Sequence, residues 1–216
     1  MSASVAILGG TGKEGRGLGL RWAVAGRRVF LGSRDPERAA AAARELAEAT
    51  RGEVSGMGNA EACAAADVVV VATTFDGLGP TMAACAGQLA GKLVVSAVIP
   101  LVVRDGRFTV QPVAEGSAAQ MAAAMAPAAR VGAAFHNVSH KILSDLAHGI
   151  EEDVPFAAAD EDAATLGELC HDLGAHGVHV GGLHLAPYLE GYTAVLLSVN
   201  RRYRTQAGIR FTGLPR

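Results

Sequence analysis

The first twenty-six residues constrain the fold more than any other stretch. An apolar run, Ser4-Val5-Ala6-Ile7-Leu8-Gly9-Gly10, leads straight into Gly10-Thr11-Gly12-Lys13-Glu14-Gly15, and a helical pattern closed by Gly26 follows. A short apolar run ending in glycine reads as a strand buried on both faces. G-x-G-x-x-G acquires its meaning from that context, between a strand and a helix. Gly10 is expected to make the tight turn, Gly12 to leave room for a pyrophosphate, and Gly15 to let the helix approach the strand. Thr11, Lys13 and Glu14 complete the candidate cofactor loop. The helix N-terminus adds free N–H groups and partial positive charge, which suit phosphate.

Strand and helix patterns alternate after this loop. The strand-like runs are RRVFLGS, GEVSGMG, DVVVVATT, KLVVSAVIP, ARVGAAF, VPFAAA and HGVHVGG. Helical patterns cover DPERAAAAARELAEAT, with Asp35 as cap and Pro36 in its first turn, then SAAQMAAAMAP, DEDAATLGELCHDLG and a long final segment from Ala186 to Tyr203. The segment 104–111 reads as an irregular excursion or hairpin. Repeated β-α-β units imply an α/β fold with a doubly wound, mostly parallel sheet of Rossmann type. Residues 1–150 are assigned to the dinucleotide-binding domain. Residues 151–216 are assigned to a small helical and β extension that completes a substrate cleft.

The 216 residues carry a formal net charge of −2, which gives no reason to expect a nucleic acid or membrane-surface partner. No run approaches the roughly 20 apolar residues of a membrane span. Cys63, Cys85 and Cys170 are odd in number and far apart, as expected of reduced thiols in a cytoplasmic protein. The start of the chain reads as strand and loop rather than as a signal peptide. His176, His179 and His184 do not form a metal set, because a strand puts 176 and 179 on opposite faces. No metal is expected.

Dinucleotide folds that select NAD end the second strand in an acidic residue, which accepts hydrogen bonds from the ribose hydroxyls. Here that place is Ser33-Arg34, with Arg38 one turn into the following helix. A hydroxyl and two guanidiniums suit a 2′-phosphate, so NADP(H) is the expected cofactor. The other strand ends are 73–75, 96–100 and 135–139. They nominate Thr73 and Thr74 near the ribose and diphosphate, Ser96 and Ile99 at the crevice, and Pro100 shaping a loop beneath the ring. Val138 belongs to the same set. His136 is the most reactive-looking group there and the candidate catalytic residue, with a structural histidine as its alternative. The Y-x-x-x-K pair of short-chain dehydrogenases is absent. An acceptor that needs little acid–base help, such as a second hydride carrier, fits this set.

VAILGGTGKEGRGLGLRWA, GSR, VVSAVIP, AAFHNVSH and NRRYRTQAGIRFTG together resemble the F420-dependent NADP oxidoreductases, also called NADPH-dependent F420 reductases. The resemblance covers almost the whole chain. It implies hydride transfer between the nicotinamide C4 and C5 of the deazaflavin coenzyme F420, in a cleft between a large domain and a small extension. It implies that Thr11, Ser33, Arg34 and Arg38 hold the NADP phosphates, and that His136 and Val138 lie by the stacked rings. It also implies that the segment 182–185 contacts the deazaflavin and that the protein is a homodimer, with the last helix as an interface element. The chain departs from the family pattern at 181–187 (GGLHLAP), at Ser198 and at Phe75. Arg201, Arg202 and Arg204 are either a contact for an anionic tail or a solvated helix end.

Two other functions remain open from sequence. One is an NADPH-dependent reductase of another C=N or C=O compound, with His136 or His184 as proton donor. The other is a nucleotide-binding protein without turnover.

Overall fold

A computed structural model describes residues 2–214. β1 (Val5–Leu8) leads through the glycine loop into α1 (Lys13–Val24), followed by β2 (Val29–Ser33), α2 (Pro36–Thr50), β3 (Val54–Gly58), α3 (Asn59–Ala65), β4 (Val68–Val71), α4 (Phe75–Cys85) and β5 (Leu93–Ser96). A hairpin of β6 (Leu101–Arg104) and β7 (Arg107–Val110) precedes α5 (Ala118–Met125), β8 (Arg130–Ala133) and the short α6 (His140–Ser144). The chain ends with β9 (Asp153–Ala157), α7 (Ala163–Asp172), β10 (His176–Gly181) and α8 (Ala186–Tyr203).

The main sheet has eight strands in the order β10-β9-β8-β5-β4-β1-β2-β3. Its pairings are parallel except β8–β9, which meet antiparallel at Ala133 and Ala157. β1 and β4 are fully buried runs of Val, Ala, Ile and Leu, as a strand covered on both faces requires. Residues beyond 150 add β9 and β10 to the edge of this same sheet.

Each face of the sheet has its own core. On one side Ile7, Leu18, Trp22, Leu31 and Leu46 from β1, α1, β2 and α2 meet Leu143, Leu166 and Leu169. On the other, Leu8 and Val69 pack under Cys63, Leu78, Met82 and Cys85 of α3 and α4. A smaller cluster joins Ala119 of α5 to Ala186 and Leu189 of α8.

The expected elements are present, and α2 begins as its sequence predicts: the Asp35 carboxylate accepts the Arg38 N–H at 3.1 Å. Three helices, α3, α4 and α6, have no counterpart in the sequence reading. Gly77, Gly79 and Pro80 disfavour a helix in α4, yet Leu78, Met82 and Cys85 are buried. Each buried side chain of that size contributes about 1.5–3 kcal/mol, which outweighs the propensity cost. Segment α6 is held from outside. The Arg21 guanidinium of α1 donates to the carbonyls of Leu143, Ile142, Asp145 and His148 at 2.6–3.0 Å, capping a five-residue helix that its own bonds would not stabilise.

Candidate active site

β1 and β4 are neighbours from which the chain runs in opposite directions across the sheet, which places the ligand crevice at their carboxyl ends. Two cavities open there. A groove of about 690 Å³ is lined by Gly9, Thr11, Gly12, Ser33, Arg34, Asp35, Arg38, Asn59, Ala72, Thr73, Thr74, Gly77 and Thr81. A deeper cavity of about 450 Å³ is lined by Glu14, Ala72, Thr73, Ala97, Ile99, Leu101, the segment 135–141, and Thr193, Leu196, Leu197, Asn200, Gln206 and Ala207. Ala72 and Thr73 belong to both walls, so the two spaces form one trough.

The glycine loop differs in one detail from its sequence reading. Gly9, at φ +83°, makes the left-handed turn assigned to Gly10. Gly10 is required for closeness instead: a Cβ there would lie 3.0 Å from the Leu31 Cα of β2. Gly15 seats α1 on the loop, since its Cβ would lie 2.6 Å from the Gly9 carbonyl oxygen. A Cβ on Gly12 would meet only the Gly9 oxygen, at 3.2 Å, and its other side is open. Gly12 caps α1 without any side-chain bond, so the N–H groups of the first turn face the groove free for an anion.

At the far end of the groove, the Ser33 Oγ accepts the Asp35 N–H at 3.1 Å and keeps its own proton to donate. Arg34 and Arg38 are exposed, and no carboxylate of the described residues pairs with either guanidinium. The Asp35 carboxylate is engaged as the α2 cap. A hydroxyl, two free guanidiniums and the α1 N-terminus make a donor set that fits NADP.

The deeper cavity is mostly apolar. Its far wall is one face of α8, Thr193, Leu196, Leu197 and Asn200, at the i, i+3, i+4, i+7 spacing of a helix stripe. Thr193 fastens that wall by donating its hydroxyl to the His136 carbonyl at 2.6 Å. Glu190, one turn earlier, accepts the Ala118 and Ala119 N–H groups at 3.0 Å and locks α8 onto α5. The Asn200 Oδ1 holds the Ala207 N–H at 2.6 Å, bringing the C-terminal segment against the cavity.

His136 stands at the floor of this cavity. Phe135 before it takes a left-handed backbone, φ +72°, at a cost of about 1–3 kcal/mol. Its ring packs edge-on against Trp22, 5.5 Å between centroids. His136 is 6% exposed, and neither ring nitrogen has a partner among the described residues. Burial drives its pKa down to about 3, so the ring is neutral at working pH. It can orient a ligand by hydrogen bonds but holds no spare proton as an imidazolium. Replacing His136 by Phe is expected to stabilise the ligand-free protein by about 1–2 kcal/mol, because two unpaired buried polar atoms disappear. The same change should raise KM for the second substrate at least tenfold. Urea unfolding and steady-state kinetics check the two signs.

Glu14 is the acidic residue of the cavity wall. Its Oε1 is enclosed and unpartnered, although the residue as a whole is half-buried. Burial raises the carboxyl pKa from 4.5 to about 8. At 1.36 kcal/mol per pKa unit that is about 5 kcal/mol, against the 0.3–1 kcal/mol by which a helix N-terminus favours a carboxylate. Burial wins, and Glu14 is protonated at neutral pH.

Of the other nominated residues, Thr73, Ile99 and Val138 line the cavity, and Thr11, Thr73 and Thr74 line the groove. Lys13 is exposed beside them. Ser96 and Pro100 do not reach either space: the Ser96 Oγ is turned back to the Val98 N–H at 3.3 Å, and the Pro100 carbonyl anchors the hairpin through the Gln111 N–H at 2.9 Å. The segment 182–185 also stays outside, because Leu183 and Leu185 are drawn into the small α5–α8 cluster. His184 is exposed and away from the trough. Ser198 faces a separate pocket of about 490 Å³ with Arg107, Phe108, Arg201 and Arg202. The departures at 181–187 and at Ser198 therefore fall outside the cavity wall. Among the described residues no cluster of His, Cys, Asp or Glu could hold a metal, and no helix is long and apolar enough to cross a membrane.

Fold and trough together define a dinucleotide-dependent oxidoreductase of the Rossmann type. Residues 4–100 match the family model described as NADP oxidoreductase, coenzyme F420-dependent. The F420-dependent NADP reductase of Methanothermobacter thermautotrophicus is 37% identical over 100% of this chain and 97% of that protein. The one from Methanocaldococcus jannaschii is 32% identical over 97% and 98%. The chain belongs to the F420-dependent NADP oxidoreductase family. Among solved structures, a putative F420-dependent NADP reductase from Arthrobacter shares the fold with a TM-score of 0.81, at 24% identity and over 98% of this chain and 100% of that one.

Proposed function

We propose that this enzyme transfers a hydride between the nicotinamide of NADP(H) and the deazaflavin of coenzyme F420. The observation that carries the reading is the single trough: a phosphate-selecting groove at Ser33, Arg34 and Arg38 joined through Ala72 and Thr73 to an apolar cavity. When bound, NADPH supplies the hydride. The chain's own residues bind, orient and exclude water. The α1 N-terminus and Gly12 receive the pyrophosphate, and Thr73 stands where the cofactor turns from groove to cavity. Ile99, Val138, Leu196 and Leu197 keep the ring space dry, and His136 offers neutral hydrogen bonds to whatever polar ring edge enters. Two flat rings held in line need no further acid–base group for the hydride itself.

Reduction of another C=N or C=O compound is not favoured. The relatives reported above are F420-dependent NADP reductases, and the two histidines considered as proton donors do not serve, His136 being held neutral and His184 lying outside the trough. The working assembly we infer is a homodimer built on α8, whose exposed Tyr188, Val195 and Tyr203 leave apolar area uncovered. The setting we infer is the cytoplasm, in keeping with three free buried thiols. The division at residue 150 is kept as a functional one: the segment 151–216 supplies α8 and the strap at 206–207, which close the cavity.

The direct test mixes the protein with NADPH and oxidised F420 and follows deazaflavin absorbance, with NADH as control. Bleaching with NADPH and little with NADH is expected. Absence of bleaching while NADPH binds would reject the acceptor and keep the dinucleotide assignment.

A further inference from the structure

Glu14 is unexplained by hydride transfer alone. A residue in the first turn of α1 has solvent within reach, yet the Glu14 Oε1 is enclosed and unpartnered in the wall of the cavity. It lies beyond the pyrophosphate seat at Gly12, in the cavity that the groove enters past Ala72 and Thr73. With the 2′-phosphate held at Ser33 and Arg34, the part of the dinucleotide reaching this carboxyl is the nicotinamide end. We propose that Glu14 couples a proton to the redox state of the nicotinamide, holding it beside the neutral dihydro ring and releasing it when the ring becomes the oxidised cation.

The step balances. In the forward direction the C4–H bond breaks and its electron pair leaves with the hydride to the acceptor carbon, so the ring gains a positive charge. The Glu14 O–H bond then breaks, its proton leaves through the cavity mouth, and the carboxylate left behind neutralises the ring. Reduction of the deazaflavin consumes one hydride and one proton, so Glu14 releases per turnover what the acceptor takes up. Glu14 prefers its proton in the empty site because burial penalises the anion, with a pKa near 8. A cation in van der Waals contact reverses that preference.

The other charges around Glu14 do not distinguish the two states. Lys13 follows Gly12 on the same turn, and His140 and Lys141 of α6 line the cavity, where burial first and then the two lysines depress the His140 pKa. His136 stays neutral to about pH 3. Arg16 is paired with Glu45, and α8 presents only uncharged groups to the cavity. All of these meet NADPH and NADP⁺ alike, as does the titrating 2′-phosphate.

This inference rests on NADP(H) binding in the trough and is tested without F420. Calorimetric titrations at pH 7, in two buffers of different ionisation enthalpy, count protons released on binding. The full-length protein is expected to release about half a proton or more per NADP⁺, and less than about 0.2 per NADPH. The ratio Kd(NADP⁺)/Kd(NADPH) should fall about tenfold between pH 6 and pH 9. In Glu14→Gln and Glu14→Leu both differences should vanish. Proton release that persists in the variants, or its absence from the parent while both dinucleotides bind, overturns the role of Glu14 and leaves the cofactor assignment standing. Failure of either dinucleotide to bind overturns both.

Discussion

Ligand-free Glu14→Gln is expected to unfold at higher urea than the parent at pH 8, by about 4 kcal/mol, and at nearly the same urea at pH 4.5. The sign follows from the direction of the shift. The Glu14 pKa rises from 4.5 in the unfolded chain to about 8 in the fold. Below pH 4.5 both states hold the proton, and the buried carboxyl costs nothing in charge. As pH rises toward 8 the unfolded chain gives the proton up while the fold keeps it, so stability is lost across that window. Glutamine has the shape of the protonated acid and no such dependence. His136 acts in the opposite window. Its pKa falls from 6.5 to about 3, so the fold loses stability as pH drops from 6.5 toward 3. That loss is common to parent and variant and cancels in their difference. Folded domains have only about 5–15 kcal/mol to spare, so the effect is large. Urea unfolding at pH 4.5, 6 and 8 measures it; a parent–variant difference that is flat with pH would mean the carboxyl is solvated.

How far the sequence reaches toward this site depends on how local each feature is. The glycine loop, the Asp35 cap and the Ser33-Arg34 strand end are legible because a dozen neighbouring residues determine them. Even there, the left-handed turn falls one residue earlier than expected, at Gly9, because Gly10 is occupied by its close approach to β2. The second half of the cavity is a tertiary product. Thr193, Leu196, Leu197 and Asn200 do carry a helix-stripe spacing that could have been found, but only packing shows that the stripe faces His136 rather than solvent. The resemblance implies that the segment 182–185 contacts the deazaflavin; in the fold Leu183 and Leu185 pack against the α5–α8 cluster, a tertiary contact that the sequence does not display. Helix α4 is hidden by its glycines and proline, and α6 by its dependence on Arg21, 122 residues before Leu143. Glu14 is legible only as a member of the glycine loop: the first turn of a helix is a usual place for an exposed carboxylate, and its burial is a property of the assembled trough.

Arg34→Ala is expected to weaken NADPH roughly 30-fold and to leave NADH within about threefold. A charge-assisted bond from a guanidinium to phosphate contributes about 1.5–3 kcal/mol, and Arg34 has no competing carboxylate among the described residues. Arg38 remains on the next helix turn, which keeps the loss below that of removing both. Ser33→Asp should go further in selectivity. It exchanges a donor for a second anion beside Asp35, repelling the 2′-phosphate while offering the ribose hydroxyls of NADH an acceptor. Both effects are electrostatic at an exposed site, so they should shrink as salt rises and the Debye length falls from about 10 Å at 0.1 M to 3 Å at 1 M. Titrating each variant with NADPH and NADH at two salt concentrations gives all three readings. Equal losses of both dinucleotides in Arg34→Ala would mean that Arg34 supports the groove rather than reads the phosphate. An unchanged preference in Ser33→Asp would move the 2′-phosphate away from the end of β2.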